Sequence, residues 1–286
     1  MKLPEPAWLD AQYNARAAIP DHAAIFARWA ADSAAARARG AACLDLRYGD
    51  GPNETLDVFP ATRPGAPVLV FIHGGYWRAL DKSDHSFLAP ALVDGGAMVV
   101  LPNYALCPAV SISTIALQLT RALAWTCRHA AQHGGDRRRI VVAGHSAGGH
   151  LTAMMLACRW REVGADLPAD LVKSGLAISG LFDLEPLRRT PFLQCDLKLT
   201  PAEARRLSPA GFAVPSRRRL FAVVGGAESA EFQRQNALIR AAWGKRTVPV
   251  CDAIAGAHHL SILDGLADRR GRLHALAREL LGLDGA

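Results

Sequence analysis

The sequence predicts an α/β chain built on a mostly parallel central sheet of about eight strands, with helices on both faces and a candidate small cap. Three observations predict it. Short apolar runs of strand length recur along the chain, segments of helical length separate most of them, and no internal repeat or low-complexity linker breaks the alternation. With 286 residues and a composition that is 50% hydrophobic, the chain is long enough to bury a full core. It is read as one domain, 1–286, with residues 1–40 as an N-terminal helical extension.

The first element is the stretch from His22 to Ala38, alanine-rich with Ile25, Phe26 and Trp29 along one side, which reads as an amphipathic helix packed on the main domain. Two β-like runs follow at Cys43 to Tyr48 and Leu56 to Phe59. Pro67 to His73 is apolar at every position before the histidine and reads as a fully buried strand. Five more short apolar strands are expected at Ala97 to Pro102, Ile140 to Ala143, Leu176 to Ser179, Leu220 to Val224 and Val248 to Ile254. Arg188 to Arg219 carries Pro191, Pro201, Pro209 and Pro215 and no strand pattern. A small cap over the sheet edge and an ordinary surface excursion both fit it.

The formal net charge is +7, yet the basic residues fall in short clusters, Arg137 to Arg139 and Arg217 to Arg219, each beside an expected strand entry. They read as solvated loop charge, because no basic face is interleaved with aromatics as a nucleic-acid groove requires. Cys43, Cys107, Cys127, Cys158, Cys195 and Cys251 form no pair at metal-knuckle or redox-motif spacing, which suits buried thiols in a reducing compartment. Met1 to Asp10 holds two prolines and two acids where a secretory leader needs an apolar run. No segment approaches the roughly twenty apolar residues of a membrane span. The expectation is a soluble, cytoplasmic protein acting on a small molecule, with no nucleic acid, membrane, cofactor or metal involved.

The chemistry is carried by Ile140 to Leu151, where Gly144-His145-Ser146-Ala147-Gly148 follows an apolar strand and opens an apolar helix. Gly-x-Ser-x-Gly in that setting is a nucleophile turn, and Ser146 is the candidate nucleophile. Glycines are needed because the serine sits in a strained turn where flanking side chains would collide. His73-Gly74-Gly75-Tyr76-Trp77, at the end of the buried strand, is the candidate oxyanion loop. Its small residues let backbone N–H groups face the site, so Gly75 and Tyr76 with Ala147 are the expected donors, and Gly74 could replace one of them. His73 reads as a structural histidine fixing this loop; a zinc site of His73, His145 and His150 is the weaker reading, since no helical His-x-x-x-His pair is present.

In such a fold the order along the chain is nucleophile, acid, histidine. His258 and His259 follow the last strand in Gly256-Ala-His-His-Leu260, and His259 is favoured for the base because an apolar residue follows it. His258 is then a solvent-exposed neighbour, and His274 a surface residue of the final helix. Glu228 is the first carboxylate after the strand Leu220 to Val224 and is the favoured acid. Asp183, after the preceding strand, and Glu231, one turn along the next helix, are rivals; Asp252 lies within the last strand pattern and is poorly placed.

These motifs, together with Tyr13-Asn14-x-Arg16, Asn103-Tyr104-Ala-Leu-Cys-Pro108, Ser179-Gly-Leu-Phe-Asp-Leu-Glu-Pro-Leu187 and Gly225-Gly-Ala-Glu-Ser-Ala-Glu-Phe-Gln-Arg-Gln235, make most of the chain resemble the kynurenine formamidase (arylformamidase) family of serine hydrolases. The resemblance implies the α/β-hydrolase fold and hydrolysis of N-formyl-L-kynurenine to kynurenine and formate through a formyl-enzyme on Ser146. It also implies that a homodimer is a common state, although no interface is legible here. Animal members carry aspartate where this chain has Glu228. A formyl group needs almost no acyl pocket, whereas the aromatic leaving group needs a flat apolar wall, for which Tyr76, Trp77 and Phe87 are candidates. Arg16 and Arg78 are candidates for a substrate carboxylate. A broad carboxylesterase with the same machinery, and a non-catalytic scaffold on the same fold, are the competing readings.

Overall fold

The computed structural model describes residues 4–214 and 217–284, so Met1 to Leu3 and Pro215 lie outside the described residues. Its eight strands are β1 (Cys43–Arg47), β2 (Thr55–Phe59), β3 (Ala66–Ile72), β4 (Met98–Pro102), β5 (Gly135–His145), β6 (Ser174–Ile178), β7 (Arg219–Gly225) and β8 (Cys251–Ile254). They form one sheet in the order β1-β2-β4-β3-β5-β6-β7-β8. Only the β1–β2 and β2–β4 pairs are antiparallel, and the rest of the sheet is parallel. The predicted fold class is therefore the observed one, with strand ends shifted by a few residues. The largest shift is in β5, which starts at Gly135, so that Arg137 to Arg139 are exposed strand residues and not the expected loop.

Three helices precede the sheet: α1 (Pro6–Tyr13), α2 (Ala15–Ala18) and α3 (His22–Ala38). Between the strands run α4 (Ala89–Asp94), α5 (Ile112–His129), α6 (Ala147–Ala157), α7 (Trp160–Val163), α8 (Glu185–Arg188), α9 (Pro191–Leu197), α10 (Pro201–Arg206) and α11 (Ala230–Thr247), which bends at Gly244; α12 (Asp264–Ala267) and α13 (Arg272–Leu281) close the chain. Alternate side chains of a strand face opposite sides of a sheet. Accordingly Val68, Val70 and Ile72 of β3 join a core with α5, α6 and α11, while Leu69 and Phe71 join a second core with α3, α4 and α13. His274, expected on the surface, is a correction: it faces the second core at 2% exposure, and its Nδ1 lies 3.1 Å from the Leu266 carbonyl. Among the described residues no helix is long and apolar enough to cross a membrane.

The segment 188–219 contains α9, α10 and a short 3-10 turn at Pro209–Gly211 and, among the described residues, no strand before Arg219. Its α9 lies beside α1, and the Asp10 carboxylate accepts the Phe192 N–H at 3.1 Å. The N-terminal helices are anchored from the far end of the chain. Tyr13 is fully buried, its hydroxyl donates to Glu231 at 2.6 Å, and the Ser229 hydroxyl donates to the Gln12 carbonyl at 2.6 Å.

Candidate active site

At the end of β5 the chain reverses into α6 through Ser146, which has φ 57° and ψ −115°. Left-handed backbone is costly for a residue with a Cβ, so neighbouring packing must enforce it. The glycines do so by allowing backbone contact: a Cβ on Gly148 would stand 2.0 Å from the Ile72 carbonyl oxygen, and one on Gly144 would stand 2.2 Å from the Gly148 oxygen. Ser146 N–H donates to the Ile178 carbonyl at 2.8 Å, tying the turn to β6.

Facing this turn is the loop after β3. Gly75 has φ 97°, and a Cβ there would lie 2.1 Å from the Ala79 carbonyl oxygen. A Cβ on Gly74 would press on the His145 carbonyl oxygen at 2.9 Å and on Ser146 Cβ at 3.2 Å. Among the described residues the N–H groups of Gly74, Gly75, Tyr76 and Ala147 donate to no protein acceptor, although Gly75, Tyr76 and Ser146 line one cavity. Beneath the loop, His73 Nδ1 is 2.9 Å from the Gly74 carbonyl and Nε2 is 3.2 Å from Asn103 Oδ1. Its ring stacks on Tyr104 at 4.2 Å, and the Tyr104 hydroxyl donates to the His73 carbonyl. Burial holds the His73 pKa below the usual histidine value, so the imidazole stays neutral.

On the other side, His259 Nδ1 meets Glu228 Oε2 at 2.6 Å, and both side chains are buried. The second carboxylate oxygen, Oε1, accepts the Ser179 hydroxyl at 2.5 Å and the Gly225 N–H at 2.7 Å. Phe232 packs on the His259 ring with centroids 4.4 Å apart. His259 and Ser146 line the same cavity, and no hydrogen bond joins them among the described residues. Such bonds commonly tighten only when substrate is present.

The rival assignments are occupied elsewhere. Asp183 Oδ1 accepts the Glu185 N–H at 3.2 Å and Oδ2 lies 3.6 Å from Arg234; Glu231 is paired with Arg234 at 2.8 Å; Asp252 is paired with Arg272 at 2.9 Å. His258, expected to be exposed, is instead half-buried, because its Nδ1 accepts the N–H groups of Leu260 and Ser261 at 3.2 Å each. His73, His145 and His150 hold separate partners: Asn103, the His259 carbonyl and the Leu207 carbonyl.

The cavity is a partly open cleft whose empty space, open solvent included, is about 570 Å³. Two expected wall residues do not reach it. Trp77 is fully buried in the first core, edge-on to His150 at 5.0 Å, because successive positive φ values at Gly75, Tyr76 and Trp77 swing its side chain inward. Phe87 stands one layer behind, stacked at 5.5 Å on Trp29. The wall is instead Tyr76 with Phe26, Trp29, Leu80, Phe192 and Leu260, of which only Tyr76 was expected from sequence. Arg16 and Arg78 both line the cavity. Arg78 is engaged by Asp196 and by the Phe192 carbonyl at 3.1 Å. Arg16 lies over the Phe26 ring at 5.1 Å and has no acidic partner among the described residues. Partial burial, and then the neighbouring Arg78 charge, lower the Arg16 pKa from its ordinary value. That combination favours an incoming anion.

The motifs outside the elbow also find their reasons. Asn14 caps α2 by accepting the Ala17 N–H at 3.2 Å, which presents Arg16 to the cavity. Gln235 accepts the Phe182 and Asp183 N–H groups and donates to Tyr13 and to the Asp183 carbonyl, joining the loop after β6 to the N-terminus.

Comparison with known proteins agrees with this architecture. A family profile described as BD-FAE matches residues 56–166. Kynurenine formamidase from Salmo salar is 30% identical over 261 residues, covering 86% of this chain and 85% of the fish protein. The Danio rerio kynurenine formamidase is 29% identical over 247 residues, covering 84% and 82%. A crystal structure from Silicibacter sp. TM1040, described as an unproven thioesterase, superposes with a TM-score of 0.81 at 34% identity, covering 93% of this chain and 97% of that one. Fold and relatives together define a serine hydrolase of the α/β-hydrolase class. Within that class the chain belongs to the kynurenine formamidase family.

Proposed function

We propose that this chain hydrolyses N-formyl-L-kynurenine to kynurenine and formate with Ser146 as nucleophile, His259 as base and Glu228 as acid. The observation that carries the reading is the convergence on one cavity of a strained serine, a carboxylate-held histidine and, with no partner among the described residues, backbone N–H groups and Arg16. Ser146 Oγ attacks the formyl carbon while its proton passes to His259 Nε2. Negative charge on the carbonyl oxygen is met by N–H groups of Gly75, Tyr76 and Ala147, with Gly74 as the alternative donor. One such donor is worth roughly 3 to 4 kcal/mol in the transition state. His259 then protonates the departing arylamine, leaving a formyl ester on Ser146. Water, deprotonated by the same imidazole, attacks that ester and releases formate. The aromatic wall takes the aryl group and Arg16 takes its carboxylate.

The chain is read as one domain in which segment 188–219 serves as a cap, since it supplies Phe192 to the cavity. The cysteines are all free, which fits a cytoplasmic setting. The deciding measurement is kcat/KM for N-formyl-L-kynurenine beside p-nitrophenyl acetate, with Ser146→Ala as control. A strong preference for the formyl anilide is expected. Efficient ester cleavage with negligible formamidase activity would make the chain a carboxylesterase with the same machinery.

A further inference from the structure

The residue before the nucleophile is itself a histidine. His145 ends β5 with its side chain in the cavity lining, 4.6 Å ring to ring from His259. Its Nε2 lies 2.7 Å from the His259 carbonyl oxygen. A carbonyl only accepts, so Nε2 carries the proton and donates, which leaves Nδ1 as a bare lone pair. Complete burial, followed by the nearby His259 and His85, pushes the His145 pKa well below the usual histidine value, so the ring stays neutral. With Nε2 committed to that bond, His145 is not the base.

The bond links two otherwise separate pieces. The loop carrying His259 is held from the β7 side by the Ala227 N–H on the Ala257 carbonyl at 2.9 Å and by Glu228 on His259 Nδ1 at 2.6 Å. Among the described residues, the His145 bond is the one hydrogen bond joining this loop to the strand that carries Ser146. Glu228 alone grips the imidazole at a single atom, about which the ring and its peptide could still swing. A second grip on the main chain, from the residue adjoining Ser146, removes that freedom.

We propose that His145 is a positioning residue for the reaction: its Nε2–H, donated to the His259 carbonyl, sets how the His259 imidazole meets Ser146. The inference rests on the reading of Ser146 as nucleophile and His259 as base. Misplacement of a reacting group by about 1 Å can cost on the order of a hundredfold in rate. Loss of the bond therefore lowers kcat and leaves substrate affinity alone, because His145 makes none of the aromatic or cationic wall.

The test compares His145→Phe, which keeps a ring and removes the donor, with His145→Gln, whose Nε2–H₂ stands at the same remove from Cα as the lost donor. Folding is followed by thermal melting, kcat and KM are measured on N-formyl-L-kynurenine, and the labelling rate with a fluorophosphonate probe gives a readout independent of substrate. The Phe variant should lose about tenfold to a hundredfold in kcat and in labelling rate with KM within about twofold, and Gln should recover to within about threefold of the parent. Parent-like rates in a folded Phe variant would overturn the proposal, as would equal losses in Phe and Gln, which would assign the effect to packing. Should Phe not fold, His145→Leu carries the same comparison; if neither apolar variant folds while Gln restores both fold and rate, the bond is structural only and the proposal fails. Ser146→Ala separates the two levels: persistent turnover and labelling there would remove the nucleophile reading itself, whatever His145 does.

Discussion

The proposed catalytic corner and the wall of the same cavity are built in opposite ways. The corner comes from strand ends and the turns immediately after them: Ser146 after β5, Gly75 after β3, Glu228 after β7 and His259 after β8. Its atoms are fixed by close backbone contacts and by hydrogen bonds that hold Glu228 and His145. Apart from Tyr76, Leu80 and Leu260, which share the corner's loops, the wall comes from segments that dock on the sheet: Asn14 and Arg16 from the N-terminus, Phe26 and Trp29 from α3, Phe192 from α9. The corner is therefore rigid and intolerant, and the wall is adjustable. Such a division lets a pocket change its substrate while the chemistry stays.

The comparison breaks most visibly at Ser146. Ser146→Ala should reduce kcat by at least about ten-thousandfold while leaving the melting temperature intact, as steady-state kinetics beside calorimetry will show. An effect of the next size belongs to the corner's buried histidines. His73, His85, His145 and His150 are all held neutral by burial, His150 with a pKa of about 4 and His85 of about 3. A histidine whose folded pKa lies below its unfolded value, about 6.5, stabilises the fold fully above 6.5. That contribution is lost as pH falls from 6.5 toward the folded value, because the unfolded chain binds the proton first. Stability measured by urea melts should thus decline steadily from pH 6.5 to pH 4, by about 3 kcal/mol from His150 alone. A flat profile over that window would show that these rings carry protons in the folded protein.

Ser179→Ala removes one of the donors on Glu228 and should lower kcat about tenfold to thirtyfold, the worth of a hydrogen bond to a charged group, with KM unchanged. On the wall the expected response is reversed: Arg16→Ala should raise KM for N-formyl-L-kynurenine about tenfold at nearly constant kcat. An unchanged KM would remove Arg16 from the carboxylate site. The smallest effect is at Phe87, where Phe87→Ala should leave both kinetic constants within about twofold and cost on the order of 1 to 3 kcal/mol of stability through its contact with Trp29.

The same division governs what could be read from sequence. The elbow is contiguous, so Gly144 to Gly148 propose their role in five letters; chain order narrows the partners to a few carboxylates and to His258 or His259, and the residues beside them favour Glu228 and His259. Ser179 lay in a recognisable motif without an assigned task, since its hydroxyl meets a carboxylate 49 positions away. The wall resisted because it depends on where distant segments settle. Trp77 was assigned to it from its place beside Tyr76, and the left-handed turn between them sends the two rings in different directions. Phe87 failed by one layer, because Trp29 from α3 stands in front of it. Of the two arginines only the structure separates the paired Arg78 from Arg16, which has no acidic partner among the described residues.

The hydroxyl of Tyr13 reaches a carboxylate 218 residues further along the chain. A ribosome makes proteins from the N-terminus onward. When the elbow serine has emerged, the first helices have no Glu231 to hold them, and neither Glu228 nor His259 exists. On the proposed assignment, Ser146 therefore waits until the stretch from Glu228 to His259 arrives, and that one stretch both supplies its partners and fastens the N-terminal helices. On the proposed assignment, a chain halted before Glu228 carries the nucleophile without its acid or its base.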